Sequence, residues 1–325
     1  MTATAPTGPV TAGPDLVRRL LAAQFPHWAG LPVVAVGTPG VDNITYRLGD
    51  AMSVRLPRFA RWEGQVPREQ EWLPRLGPLL PLAVPVPLAQ GEPGEGYPFV
   101  WSVYRWLDGD RADLGELTDP RQTGVELARF LRALQSVDPA GGPAPGWSNG
   151  FRGCDLADER DSPVVAGRMR ERIAALEGLT DTDALAAVWA DALAAPVWDR
   201  APVWVHGDPA PGNLLASGGR LSAVIDFGTL AVGDPAVDLI AAWTFLDGEA
   251  RGAFRAELAV DGATWARGRA WGLSGILPRP AELGPDADPE HAARVRRRLA
   301  DLVADTAADR AHAPRTMGQT RAFGS

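Results

Sequence analysis

Three short stretches of the chain carry residues suited to chemistry. The first is His206-Gly207-Asp208 with Asn213 five residues after the carboxylate, the second is Asp226-Phe227-Gly228, and the third is Gly233-Asp234-Pro235 with Asp238. Residues 203–205 read as a short strand that delivers Asp208 into a loop. Residues 214–216 and 223–225 read as the arms of a β-hairpin around Gly218-Gly219, so Asn213 and Asp226 stand within about a residue of register. Two carboxylates and an amide therefore converge. Oxygen-only ligands suit Mg²⁺, which keeps several waters and takes carboxylates together with substrate phosphates. His206 is the one nitrogen candidate nearby, which disfavours zinc; it reads as a structural histidine bonded within its loop.

These residues need elements to hold them. Residues 43–48 and 51–56, joined at Gly49-Asp50, have the pattern of a second hairpin. On its second strand Met52, Val54 and Leu56 share one face, which sends Arg55 to the other. Residues 65–76 carry a helical stripe of Val66, Trp72, Leu73 and Leu76, and Glu69 lies on it. Two inward charges of opposite sign satisfy each other if they pair, either as a plain structural ion pair or as part of a site. Asp15 is expected to cap a short first helix with the stripe Leu16, Leu20, Leu21. A Pro-rich connection then leads to an apolar run at 99–104, expected as a buried strand. From Thr118 the chain turns helical, with Leu127, Phe130, Leu131 and Leu134 on one face and further helices near 162–178 and 182–195. Asp234-Pro235 supplies a cap and a first-turn proline for a helix through Trp243.

The composition narrows the field of functions. The chain has 325 residues, a net charge of −8, one cysteine, and 32 basic residues that are all arginine. Without lysine, a Schiff base or a Walker-type phosphate lysine is impossible. The acidic balance argues against nucleic acid as the main partner. Cys154 cannot pair within the chain and reads as inert, which fits a reducing, cytoplasmic setting. No signal-like start and no span of about 18 apolar residues is present, so a membrane partner is not expected.

The catalytic stretch resembles the aminoglycoside phosphotransferase family, bacterial small-molecule kinases that share the protein-kinase-like fold. Its H-G-D-x-x-x-x-N pattern is matched by His206, Gly207, Asp208 and Asn213, its D-F-G by Asp226, Phe227 and Gly228, and its G-D-P-x-x-D-L by Gly233, Asp234, Pro235, Asp238 and Leu239. The resemblance covers roughly residues 15 to 275 and is lost in the Pro-rich run that follows. It implies an α+β, two-lobed fold: a small antiparallel-sheet lobe at 14–104 and a larger, mostly helical lobe at 105–312, with 1–13 and 313–325 disordered. It implies Asp208 as the catalytic group and Asn213 and Asp226 as Mg²⁺ ligands. Arg55 matches the strand lysine that holds the nucleotide's α/β-phosphates, and Glu69 the helix glutamate that pairs with it. In place of a Gly-rich loop stands only Gly37-Thr38-Pro39-Gly40, which leaves Asn43 and Thr45 as candidate phosphate contacts. The run from Trp101 to Trp106, with Ser102 and Tyr104, resembles the hinge that meets the nucleotide base. Asp234 and Asp238 would brace the catalytic loop.

The expected activity is ATP- or GTP-dependent phosphorylation of a hydroxyl on a small molecule, plausibly an aminoglycoside or macrolide. The alternatives are a kinase of a sugar or amino-alcohol metabolite and a silent nucleotide-binding module. A metal-dependent phosphohydrolase is disfavoured, because such sites use two metals and more His/Asp ligands than this cluster offers.

Overall fold

Alternation of buried and exposed side chains along residues 43–57 produces a sheet with two different faces. In the computed structural model, which describes residues 8–37, 42–156 and 163–312, strands β1 (Val33–Ala35), β2 (Asn43–Leu48), β3 (Met52–Pro57), β4 (Pro87–Gly91) and β5 (Trp101–Arg105) form one antiparallel sheet in the order β1-β2-β3-β5-β4. The expected disorder at residues 1–7 and 313–325, and residues Thr38, Pro39 and Gly40 of the expected phosphate-facing loop, lie outside the described residues. One face buries Ile44, Tyr46, Leu48, Val54, Leu56, Trp101 and Val103 under helix α1 (Pro14–Gln24). The other face carries Thr45, Arg55 and Ser102 in register and receives helix α2 (Gln65–Leu76).

Several local expectations change in detail. Helix α1 begins two residues earlier than a cap at Asp15 would allow: Gly13 is the N-cap, Pro14 opens the helix, and Asp15 pairs with Arg18 at 2.5 Å. Proline's fixed φ suits the first helical position, which moves the carboxylate into the first turn. Composition also predicts disorder through residue 13, yet Val10 N–H bonds the Arg58 carbonyl at 2.7 Å and the buried Ala12 offers its carbonyl to the Tyr46 hydroxyl at 2.5 Å. The Pro-rich connection supplies β4, an edge strand, where a missing N–H is tolerated.

The rest of the chain is mainly helical: α3 (Pro120–Gln135), α4 (Pro163–Ala174), α5 (Thr182–Ala194), α6 (Ala241–Thr244), α7 (Gly248–Leu258), α8 (Gly262–Ile276) and α9 (Pro289–His312). Asp119 caps α3, and its stripe of Leu127, Phe130, Leu131 and Leu134 is fully buried in a second, larger core. Among these helices lie β6 (Asp110–Arg111), the hairpin of β8 (Leu214–Ser217) and β9 (Arg220–Val224), and the pair β7 (Val203–Val205) with β10 (Ala231–Gly233). Gly218 and Gly219 have φ of +58° and +73°, the two left-handed residues of a primed hairpin turn. The helix expected from Asp234 through Trp243 is instead a 3₁₀ turn over Pro235–Ile240 followed by α6. Its residues are all buried, and Leu239 fills the space over Gly268 of α8. No helix among the described residues is long and apolar enough to cross a membrane.

Helices α3 and α7 approach so closely that a Cβ at Gly124 would sit 2.2 Å from the Ala250 carbonyl oxygen. Backbone cannot yield as a flexible side chain can. Gly124→Ala is expected to cost about 1–3 kcal/mol through overpacking, more than the roughly 1 kcal/mol that alanine gains in helix propensity. Gly252 of α7 meets nothing within 4 Å, so Gly252→Ala is expected to stabilise by about 0.5–1 kcal/mol. Thermal melts of the two variants shifting in the same direction would contradict this packing account.

Candidate active site

The larger half positions its carboxylates through two loops. Strand β7 ends at Val205, and the following loop is pinned by the buried Asp238 carboxylate, which accepts the amides of His206 at 3.0 Å and Gly207 at 2.7 Å. Gly207 has φ +88°, and a Cβ there would press on Thr229 at 2.8 Å, so the position requires glycine. His206 is fully buried; its Nε2 faces the Ile225 carbonyl at 3.1 Å and its Nδ1 accepts the Asp208 amide at 3.2 Å. Those two bonds fix a neutral ring with the proton on Nε2. Burial holds its pKa below the ordinary value, against the pull of Asp208. Asp234 caps the next turn through the Ala236 amide at 2.9 Å and is bound by the buried Arg267 at 2.7 Å. Asp238 thus acts on the loop's backbone from behind, whereas the Asp234 carboxylate is spent on Ala236 and Arg267.

Asn213 donates its side-chain amide to the Asp208 carbonyl at 2.8 Å and to its carboxylate at 3.3 Å, while its own carbonyl accepts the Ile225 amide at 2.9 Å. Ile225 immediately precedes Asp226, so the hairpin brings Asp208, Asn213 and Asp226 to one end, as the register implied. Asp226 holds φ +66°, a left-handed conformation uncommon for a residue with a side chain and typical of strain kept at a working site.

The smaller half answers with Arg55. Its guanidinium reaches Glu69 Oε1 at 3.5 Å with one terminal nitrogen and Asp226 Oδ1 at 3.0 Å with the other. Glu69 also accepts the Tyr104 hydroxyl and the Phe227 amide. Burial pushes the Glu69 carboxyl above its usual range despite Arg55; at Asp226 burial pulls the same way, but Arg55's charge and hydrogen bond prevail and hold it low. Arg55 itself is pushed still higher, because the two carboxylates outweigh its burial.

The remaining expected nucleotide contacts lie around this centre with different commitments. Thr45 is partly exposed and stands across from Arg55 in register. Asn43 is buried with its amide on Gln65 at 3.3 Å. Ser102 and Tyr104 are buried and turn their hydroxyls toward α2: Ser102 accepts from Gln70 at 3.1 Å, and Tyr104 donates to Glu69. Their side chains position the helix, which leaves backbone as what this strand can offer a base. Trp101 and Trp243, tryptophans near the expected cleft, are buried core residues.

Two arginines at this centre escape a reading of the sequence. Arg68, next to Glu69, donates to the Gly228 carbonyl, two residues after Asp226, and to Ser148 Oγ at 2.7 Å. Arg152 lies 3.9 Å from Asp208. A helical position beside an inward glutamate was a weak signal for the first; the second sits in an aperiodic loop and had none.

An oxygen-only donor set remains at the front of the cluster. Because Asn213 turns its nitrogen toward Asp208, its side-chain oxygen and the Asp226 carboxylate are the available ligands. Among the described residues no three His, Cys, Asp or Glu gather as a metal cage. An ion here would be held by one carboxylate, one amide oxygen and phosphate oxygens, which fits Mg²⁺.

Solved structures of known proteins share this fold. The wild-type aminoglycoside 2'-phosphotransferase-IIIa, solved as a GDP complex, superposes with a TM-score of 0.67 at 18% identity, over 91% of this chain and 100% of that one. Aminoglycoside phosphotransferase APH(2'')-Ib, solved with ADP, gives 0.54 at 18% identity over 88% and 96%. The macrolide 2'-phosphotransferase MphH from Brachybacterium faecium, an apoenzyme, gives 0.56 at 19% identity over 88% and 98%. No curated protein sequence matches the chain. The fold is thus the two-lobed kinase-like fold of these enzymes, and the pattern of the phosphotransferase enzyme family matches residues 34–271. The chain belongs to the phosphotransferase enzyme family.

Proposed function

We propose that the protein is a nucleoside-triphosphate-dependent kinase of a small hydroxyl-bearing compound, of the aminoglycoside or macrolide type. The observation that carries the reading is Arg55 bridging Glu69 and Asp226, at 3.5 and 3.0 Å, beside the Asp208–Asn213 pair. The names of the superposing enzymes support the choice of acceptor.

In this reading the acceptor hydroxyl lies against Asp208. Its oxygen attacks the terminal phosphorus of the nucleotide, the bond to the β–γ bridging oxygen breaks, and the hydroxyl proton passes to the Asp208 carboxylate. The nucleoside diphosphate leaves with the bridging oxygen. Asn213 holds Asp208 from one side, Arg55 offers positive charge to the nucleotide phosphates, and Asn213 and Asp226 would hold Mg²⁺. When bound, that ion supplies charge neutralisation of the phosphates. Most of the rate comes from positioning and electrostatics, which explains why so many bonds fix the loops rather than face the cleft.

Asp208→Asn is expected to lower turnover by about 10²–10⁴ while nucleotide affinity, read by titration calorimetry, stays near that of the wild type. Chelating Mg²⁺ should abolish turnover, and adding it back should restore it. Turnover that survives either treatment removes the kinase reading.

Burial raises the Asp238 carboxyl to about 7, against the pull of the Gly207 and His206 amides. A carboxyl raised above the ~3.9 of an unfolded chain binds its proton more tightly when folded. Its ionisation therefore costs stability progressively as the pH rises from about 4 to about 7, and the cost is constant above that. Asp238→Asn lacks this titration, so its stability relative to the wild type is expected to improve between about pH 4 and pH 7 and to stay level above that. A gap independent of pH in parallel melts would refute the assignment.

A further inference from the structure

The loop from Gly146 to Arg152 is built with more care than a connection needs. Asn149 is buried and uses its whole amide: it accepts the Gly146 amide at 2.8 Å and donates to the carbonyls of Arg152 at 2.9 Å and Thr229 at 3.3 Å. Ser148 is clamped by Arg68, which also holds the Gly228 carbonyl. Gly150 and Phe151 are both left-handed, with φ of +64° and +60°, so the chain turns sharply just before Arg152. For Phe151 that conformation is strained, of the kind that surrounding contacts must hold in place. Arg152 Cβ packs within 3.0 Å of where a Cβ of Gly207 would stand, between His206 and Asp208.

All these contacts fix the loop that carries Arg152. Its Nη2 lies 3.9 Å from Asp208 Oδ1, whereas Asn213 meets the other oxygen, Oδ2, at 3.3 Å. Arg152 therefore occupies the side of the catalytic carboxylate opposite the metal-facing amide. Its Cζ stands 5.4 Å from the centre of the Trp271 ring, which limits its rotation. Its Nη1 is buried and has no hydrogen-bond partner among the described residues. A buried, unpaired donor on a permanent cation is costly unless something bonds it. An anionic oxygen is the partner that a planar guanidinium matches best.

We propose that Arg152 is a catalytic residue that donates to the phosphoryl group in flight, from the acceptor side of Asp208. It rests on the kinase reading above and goes beyond it, since no sequence motif includes this position. As the phosphorus moves from the nucleotide toward an acceptor oxygen lying against Asp208, its equatorial oxygens come within reach of the guanidinium, whose Nη2 stands 3.9 Å from that carboxylate. The bond forms most fully in the transition state, which is where it accelerates the reaction.

The test uses the full chain with Mg²⁺ and either ADP or GDP, with and without fluoroaluminate as a mimic of the transferring group. For the wild type, fluoroaluminate is expected to tighten diphosphate binding about 100-fold or more. Arg152→Gln is expected to lose most of that tightening while its affinity for the Mg²⁺-diphosphate alone stays within about twofold. Arg152→Lys, which keeps the charge without the planar fork, is expected to fall between them and covers the case in which the glutamine variant folds poorly. A purely structural Arg152 would instead lower both affinities together, with the melting temperature, and that result overturns the proposal. So does tightening that is equal in all three proteins, or absent from a wild type that binds the diphosphate. A wild type that binds neither diphosphate overturns the kinase reading itself.

Discussion

The arrangement depends on one half-buried cation shared by a buried carboxylate and a partly exposed one. Arg55 comes from the small sheet, Glu69 from the helix laid on that sheet, and Asp226 from a loop of the helical half. Ion pairs of this kind are weak evidence for stability, since desolvation of each charge nearly cancels the attraction. Their value here is geometric, because a displaced member leaves an uncompensated charge in a dry place. Supporting donors reduce that hazard: the Tyr104 hydroxyl and Phe227 amide serve Glu69, and the Gly228 amide serves Asp226. The triad still carries one more negative than positive charge, and the partly exposed carboxylates of Asp208 and Asp42 lie near it. Asp42 is raised by its own burial and then by Asp226.

Arginine suits this position in a chain without lysine. An ammonium is one compact charge, whereas the guanidinium presents separate nitrogens in a plane. One terminal nitrogen meets Glu69 and the other meets Asp226, and the ring of Tyr104 lies 5.9 Å from the guanidinium carbon. The same side chain therefore sets the distance between sheet, helix and metal loop. A point charge would leave the angle between them less defined.

The legible parts of the molecule are those whose signals are local. The inward glutamate on α2, the alternation that separates Arg55 from Val54 and Leu56, and the glycine pair at the β8–β9 turn each follow from a few neighbouring residues, and each stands where expected. The spacing of Asp208 and Asn213 is likewise a property of one loop. Where partners are distant, the sequence is silent. Arg152 belongs to no periodic segment, and its placement depends on Asn149 reaching Thr229 and on Ser148 meeting Arg68, 80 residues apart in each case. Edge strand β4 was hidden for another reason: proline suppresses a strand reading, although an edge does not need every N–H. The 3₁₀ turn after Asp234 reflects packing under α8, which no local pattern encodes.

Helix α2 is coupled to the loop of Asp226, Phe227 and Gly228. Three consecutive features of that loop are tied to this one helix: the Phe227 amide to Glu69, the Gly228 carbonyl to Arg68, and the space over Gly228 to Gln65, whose side chain lies 2.4 Å from where a Cβ would be. The loop of His206, Gly207 and Asp208 is tied from the other side, because Asp238 takes two successive amides of it. Phosphoryl transfer asks little covalent work of a protein and much exact placement. With both loops held by buried bonds before any substrate arrives, less ordering is left for binding to accomplish. At this centre Arg152 keeps a buried Nη1 without a partner while its Nη2 stands 3.9 Å from Asp208.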